Sequence, residues 1–208
     1  MNNTIVAVGR VSVDLYGVEA GAAFSSEQTF SKSVGGSPSN VAVAAAKLGN
    51  HAVLLTKVGA DPLGQYVVNK LSSWGVDTKY VSTEPNGLTP VVLAALDPPE
   101  DPKLIFHRQP SAPDTTINSD LIPKDLIDNC AVFWMSGCAL SHGETARSSL
   151  KWLTQRNRRR HTIIDLDYRP SFWSSIDEAG VAARAAIANC NVVVGNRTEC
   201  EMAIGLTD

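Results

Sequence analysis

Short apolar runs of strand length alternate along this chain with longer amphipathic stretches, and that alternation limits the possible folds more than any other feature. The strand-like runs are Ile5–Val8, Val53–Val58, Val91–Leu96, Leu104–Phe106, Ala131–Met135, Thr162–Leu166 and Asn191–Val194. Helical patterns cover Ser37–Leu48, Leu63–Trp74, Glu144–Arg156, Glu178–Ala188 and Glu199–Ile204. Strand–helix–strand repetition predicts an α/β fold, a mostly parallel Rossmann-like sheet with helices on both faces. Such sheets take their ligands at the carboxyl ends of the strands. Asp61-Pro62 puts a capping oxygen ahead of a first-turn proline, and Ser141-x-x-Glu144 reads as a capping box.

Two stretches break the alternation. Residues 16–34 contain no helix, only β-compatible residues with turn-forming Gly17 and Gly21, and residues 89–108 read as strand, Pro-Pro-Glu-Asp-Pro turn, strand. Both read as β-ribbons that leave the main sheet and pair as a small second layer. The alternative is a pair of edge strands on the main sheet.

Composition narrows the function classes. A chain of 208 residues, 44% apolar and 19% charged, is long enough for one well-buried domain. A net charge of −3 gives no electrostatic case for a nucleic-acid partner. The basic run from Arg156 to Arg160 suits a helix C-terminus. Cys130, Cys138, Cys190 and Cys200 form no C-x-x-C pair and no metal-ligand spacing with the histidines. Free thiols in apolar runs favour a reducing compartment. No apolar run reaches bilayer-spanning length, and Met1-Asn2-Asn3-Thr4 lacks the basic start of a signal peptide. No membrane partner is expected, and a cytoplasmic location follows by elimination.

The sharpest local feature is Gly35-Gly36-Ser37-Pro38-Ser39-Asn40, which opens an Ala-rich helix. Paired glycines let backbone approach a ligand, Ser37 and Pro38 suit the N-cap and first turn, and the free first-turn amides can donate to hydroxyls or anions. Asn40 would project its amide from the same turn. The stretch is neither a Walker A loop nor the G-x-G-x-x-G of a dinucleotide site, which argues against a nicotinamide-dependent oxidoreductase. On these residues alone a tight turn remains the other reading. Asp14, just after Gly9-Arg10-Val11-Ser12-Val13, is either a surface turn residue or a carboxylate able to accept from two vicinal hydroxyls.

The run GGSPSNVAVAAAKLGNHAVLLTKVG, Gly35 to Gly59, resembles the first signature of the ribokinase-like (PfkB) carbohydrate kinases. The resemblance extends along the chain. GRVSVDLYG, TFSKSVGGSPSNVAVAAAKLG, Met135-Ser136-Gly137 and Asp165-Leu166-Asp167-Tyr168-Arg169-Pro170 with Trp173 are similar to the family's acid-sugar branch, in particular kinases of 5-dehydro-2-deoxygluconate in inositol breakdown. Phe106-His107-Arg108 with Ser111-Ala112 resembles a lid segment of the 2-keto-3-deoxygluconate kinases. The resemblance implies Mg-ATP-dependent phosphorylation of a sugar acid at its terminal hydroxyl, with the ribbons at 16–34 and 89–108 as a lid. It implies that Asp14, Gly35, Gly36 and Asn40 hold the sugar, and that Arg108 meets its carboxylate through two parallel bonds. It places Asp165, Asp167, Arg169, Asn196 and Glu199 near the phosphates and magnesium, without a direct metal ligand. Read without it, Asp165 or Asp167 makes a structural ion pair with Arg169, and Asn196-x-x-Glu199 a capping pair. Family members also pair through their lids, so a homodimer is implied.

In the family, a Gly-Ala-Gly-Asp element supplies the base and the anion hole. No such string occurs in these 208 residues. The sequence therefore predicts a partial kinase domain over 1–208, lacking the C-terminal part of the fold and its last strands. Losing a general base costs roughly 10²–10⁴-fold and an anion hole roughly 10²–10³-fold, so negligible turnover is expected of this polypeptide alone. The non-enzyme alternative is a sugar-binding relic. 2-Keto-3-deoxygluconate, fructose and ribose are the alternative substrates.

Overall fold

A computed structural model describes residues 3–100, 102–109, 111–159 and 161–205. Asp101 of the predicted turn, Arg160 of the basic run, Met1, Asn2 and the closing Leu206-Thr207-Asp208 lie outside them. The main sheet contains β1 (Thr4–Val8), β4 (His51–Gly59), β5 (Val81–Glu84), β8 (Val132–Ser136), β9 (Thr162–Asp165) and β10 (Val192–Val194). Its order is β10-β9-β8-β1-β4-β5, and all its pairings are parallel. Val6, Ala7 and Val8 are all fully buried, as a strand covered on both faces requires.

Each face has its own core. Ala7 and Leu54 point towards α1 (Ser37–Lys47) and α2 (Pro62–Ser73), packing with Ala42, Ala45, Val67 and Leu71. Val6, Val8, Leu55, Phe133 and Met135 face the other way. They meet Ile127 of α3 (Lys124–Asn129), Trp152 and Leu153 of α4 (Gly143–Arg156) and Ala186 of α5 (Ile176–Ile187). Strand period two sends alternate side chains to opposite layers, so both helical layers are needed. The final helix, α6 (Arg197–Ile204), packs on α5 through Met202, Ala203, Ala179 and Ala183. Among the described residues no helix is long and apolar enough to cross a membrane.

The two ribbons form a separate sheet. It holds β2 (Ser12–Gly17), β3 (Phe30–Gly35), β6 (Val91–Ala95) and β7 (Lys103–His107) in the order β3-β2-β6-β7. The edge-strand alternative is thereby excluded. The first ribbon begins at Ser12 rather than residue 16, so Asp14 stands within the second layer and not in a turn before it.

Three local expectations need correction. The N-cap of α1 is Gly36, not Ser37, which is already helical and turns its hydroxyl to Asp167. The Ser141–Glu144 capping box does not form. Gly143 opens the helix at φ +77°, where a β-carbon would run into the Thr115 carbonyl oxygen, His142 holds the N-cap position without a side-chain bond, and Glu144 turns to Arg147 instead. Strand β5 and helix α3 carried no signal. The Asp61 cap does form, accepting from Gly64 N at 2.7 Å. Arg156 ends α4 as expected of a helix-terminal cation, yet is fully buried and donates to the carbonyls of Ile127, Asp128 and Cys130.

Candidate functional site

The neighbours of β1 are β4 on one side and β8 on the other, so the direction of winding switches at β1. Ligands of open α/β sheets bind at such a switch, beyond the strand's carboxyl end. Here that end is Gly9-Arg10, and glycines hold it against the first turn of α1. Gly9 has φ +144°, and a β-carbon on it would lie 2.8 Å from Pro38 Cγ. Gly36 has φ +107°, and a β-carbon there would overlap the Arg10 carbonyl oxygen.

From Arg10 the chain enters the second sheet. Cross-strand pairing sets Asp14 opposite Ser33 and Val92, and Val92 opposite Phe106, so these four share one face. Asp14 Oδ1 accepts from Ser12 Oγ at 2.7 Å. A β-carbon at Gly35 would collide with the Asp14 carboxyl group, so glycine is needed for that carboxylate to lie where it does. Partial burial of its hydroxyl end, then the neighbouring Asp14 charge, raises the phenol of the otherwise exposed Tyr16 above its ordinary pKa. Asn40 is exposed on α1 and lines a groove with Ser33, Val34, Lys47 and Trp74. Asp14 and Gly35 do not line that groove; Asp14 adjoins it only as the cross-strand partner of Ser33.

Arg108 lies elsewhere. It lines a cleft of about 240 Å³ with Ser141, His142, Trp173 and Glu178, which shares no lining residue with the Asn40 groove. The carboxylate that Arg108 meets is the protein's own: Nη2 lies 2.9 Å from Asp114 Oδ2, with both side chains over nine-tenths buried. Its guanidinium also stacks 4.2 Å from the centre of the Phe172 ring. Phe172 makes an edge-to-face contact with Phe106 of β7 at 5.3 Å, which ties the second sheet to the loop after β9.

The two aspartates at the end of β9 and just beyond it do different work. Asp167, buried and at φ +38°, accepts from Ser37 Oγ at 2.8 Å and Ser136 Oγ at 2.7 Å, and pairs with Arg169 at 2.9 Å. It fastens the start of α1 to the end of β8, so the structural ion pair is realised. Asp165 is half-buried and accepts from none of these groups. Desolvation, then the charges of Asp167 and Glu199, push its carboxyl up to about 6. Asn196 and Glu199 form the reciprocal capping box of α6. Glu199 Oε2 accepts from Asn196 N at 2.8 Å and Oε1 from Tyr168 N at 3.1 Å, so both oxygens are engaged. Among the described residues no group of three or more His, Cys, Asp or Glu is arranged to hold a metal ion.

The Asp165 shift has a measurable consequence. A carboxyl whose folded pKa is raised adds stability that is full below its unfolded value of 3.8 and is lost as pH rises through about 6. Asp165→Asn is therefore expected to stabilise the chain at pH 7.5 by about 1–2 kcal/mol, allowing for solvent screening of a half-exposed group, and to give no gain at pH 4. Urea midpoints at the two pH values test this. A gain equal at both would mean that charge is not its origin.

Sequence inspection overlooked Arg10, Ser12, Asp114, Ser136 and Phe172. Arg10 and Ser12 stand in the GRVSVDLYG run, but nothing in their spacing marks them. Only the fold brings Arg10 against Phe106 and Phe172.

Comparison with known proteins agrees with this architecture. The pfkB family carbohydrate kinase pattern matches residues 2–208. A 5-dehydro-2-deoxygluconokinase of Geobacillus kaustophilus is 32% identical over 200 residues, covering 95% of this chain and 59% of the relative. The chain thus spans about three-fifths of that relative's length. Among solved structures, a sugar kinase from Pyrococcus horikoshii in complex with ATP superposes with TM-score 0.82 at 23% identity, over 91% of this chain and 62% of that one. The 2-dehydro-3-deoxygluconokinase of Thermotoga maritima gives TM-score 0.82 at 21% identity, over 98% and 63%. With its parallel sheet, its second β-layer and this family match, the chain belongs to the pfkB family of carbohydrate kinases.

Proposed function

We propose that the complete protein transfers the γ-phosphoryl group of ATP to the terminal hydroxyl of a sugar acid, 5-dehydro-2-deoxygluconate, in inositol breakdown. The observation that carries this reading is the grouping of Arg10, Arg108 and Arg169 around the Phe172 turn, beside a sheet that presents Asp14. A carboxylated sugar needs a cation that a neutral sugar does not. The name of the Geobacillus relative supports the same substrate. The Thermotoga structure's name favours 2-keto-3-deoxygluconate as the second reading.

In this reading Asp14 accepts from sugar hydroxyls across from Ser33, the Asn40 amide donates to them from the neighbouring groove, and Gly35 and Gly36 let the backbone close on the sugar. The residues near Asp165 fit Mg-ATP. Crowding of Asp165 by Asp167 and Glu199 is relieved by a hydrated cation, and Arg169, whose buried Nε has no hydrogen-bond partner, suits a phosphate. With both oxygens engaged, Glu199 and its partner Asn196 would reach the metal only through water. When bound, Mg-ATP supplies the phosphoryl group and the charge neutralisation. Proton abstraction falls to a segment outside these 208 residues, so the chain alone is proposed to be inactive, as a partial kinase domain. Its four cysteines are unpaired, which suits the reducing cytoplasm.

A coupled ADP-release assay tests the proposal on this chain and on a form completed with the C-terminal part of the Geobacillus relative. The substrates are 5-dehydro-2-deoxygluconate, 2-keto-3-deoxygluconate, fructose and ribose. Turnover of an acid sugar by the completed form alone is expected, at least roughly tenfold above any neutral sugar. A folded completed form that turns over none leaves a sugar-binding relic. Light scattering on the same preparation checks pairing through the second sheet, whose Tyr16, Leu104 and Ile105 are exposed.

A further inference from the structure

We infer that Arg10, rather than Arg108, grips the carboxylate of the substrate, an inference that rests on the acid-sugar reading above. The arginines of this region differ in what they meet. Arg108 is neutralised by Asp114 and Arg169 by Asp167. Arg10 is about nine-tenths buried, yet makes no ion pair with any described residue. Its Nε is buried without a hydrogen-bond partner. Among the described residues its side chain makes one hydrogen bond, a long one, Nη1 to Ser12 Oγ at 3.5 Å.

A guanidinium keeps its charge at any accessible pH, so burying it without a counter-ion is costly. The flanking rings, Phe106 at 5.2 Å and Phe172 at 5.8 Å, offer their electron-rich faces but accept no hydrogen bond. The missing complement is an anion with planar acceptors. Arg10 also stands where a ligand would bring one. It follows β1 at the winding switch, and Ser12 connects it to the Asp14 carboxylate on the sugar-facing row. One ligand can thus offer hydroxyls to Asp14 and a carboxylate to Arg10. The backbone is adapted to this, since Gly9 and Gly36 allow the Arg10 segment to lie directly on α1.

The test measures binding of 5-dehydro-2-deoxygluconate and its methyl ester by titration calorimetry, in the completed form and in the 208-residue chain. Arg10→Gln, Arg10→Lys and Arg108→Gln are compared with the parent. The parent is expected to prefer the acid over the ester by at least about 30-fold, the lower end for a buried charge pair. Arg10→Gln should remove that preference by weakening binding of the acid far more than of the ester, with the melting temperature unchanged or slightly raised. Arg10→Lys, with one point charge in place of the fork, should retain part of it. An acid/ester ratio that survives in Arg10→Gln and collapses in Arg108→Gln overturns the inference but keeps the acid-sugar reading. A parent that binds acid and ester alike, or neither, overturns that reading together with the inference. If Arg10→Gln fails to fold, the Arg10→Lys ratio decides, and an unchanged ratio there overturns the inference.

Discussion

Asp167→Ala is expected to lower stability by about 3–5 kcal/mol and to weaken sugar binding, although Asp167 faces no sugar in the proposed site. Three donors converge on this one carboxylate: the hydroxyls of Ser37 and Ser136, and the guanidinium of Arg169. Hydrogen bonds to a charged acceptor contribute about 1.5–3 kcal/mol each, and buried hydroxyls left without an acceptor add a desolvation cost. Alanine also fits φ +38° poorly, whereas asparagine tolerates the left-handed region. Asp167→Asn should therefore lose about half as much, keeping one acceptor but forfeiting the ion pair. Because Ser37 opens α1 directly after Gly36, loosening its anchor moves the turn that holds Arg10 and Asn40. Urea midpoints and sugar affinity should fall together across wild type, Asn and Ala. A further readout is independent of folding: the Asp167 charge helps to raise Asp165, so the Asp165 carboxyl should titrate below about 6 in either variant. An Asp167→Ala chain that melts like the parent would show that the three donors find other acceptors.

How much of this was legible in the sequence depended on the range of the interaction involved. Local patterns carried the main sheet: β1, β4 and β8 are apolar because both faces are covered, and no alternative element tolerates such runs. The Asp61 and Asn196 caps were legible because the bonding groups lie three residues apart. Strand β5 was not, since Val81–Glu84 is short, half-exposed and paired along one side only. The cap of α1 was misread because Ser37 has a stronger claim on a distant acceptor, Asp167, 130 residues away. Ser141 was misread likewise: its hydroxyl lies 3.0 Å from His142 Nδ1, and α4 starts at Gly143, packed too closely on Thr115 for a side chain. At the candidate site, the glycines and Asp14 were visible as a motif, but which arginine lacks a carboxylate was not. That depends on Asp114 and Asp167 each taking a partner, and the fold alone makes those matches.

Gly36→Ala is the substitution expected to damage both fold and site most directly. Two separate costs fall on this position. Its φ of +107° with ψ 129° is a region that side chains rarely occupy, which costs about 1–3 kcal/mol. A β-carbon would also run into the Arg10 carbonyl oxygen and lie 3.1 Å from the Val11 α-carbon. Those atoms belong to backbone buried between α1 and the β2 entry, so they cannot rotate away, and overpacking of this kind costs about 1–3 kcal/mol more. Gly49 separates the two terms, because it has φ +82° but nothing within 4 Å of the place a β-carbon would take. Gly49→Ala should cost about 1 kcal/mol, from conformation alone. Gly36→Ala should cost about 2–6 kcal/mol and, in any fraction that folds, displace Arg10 relative to Asp14. Denaturation midpoints of both variants and acid-sugar affinity give the comparison. If Gly36→Ala proves no worse than Gly49→Ala and binds the acid normally, then the close approach of α1 to Arg10 is not what shapes the site.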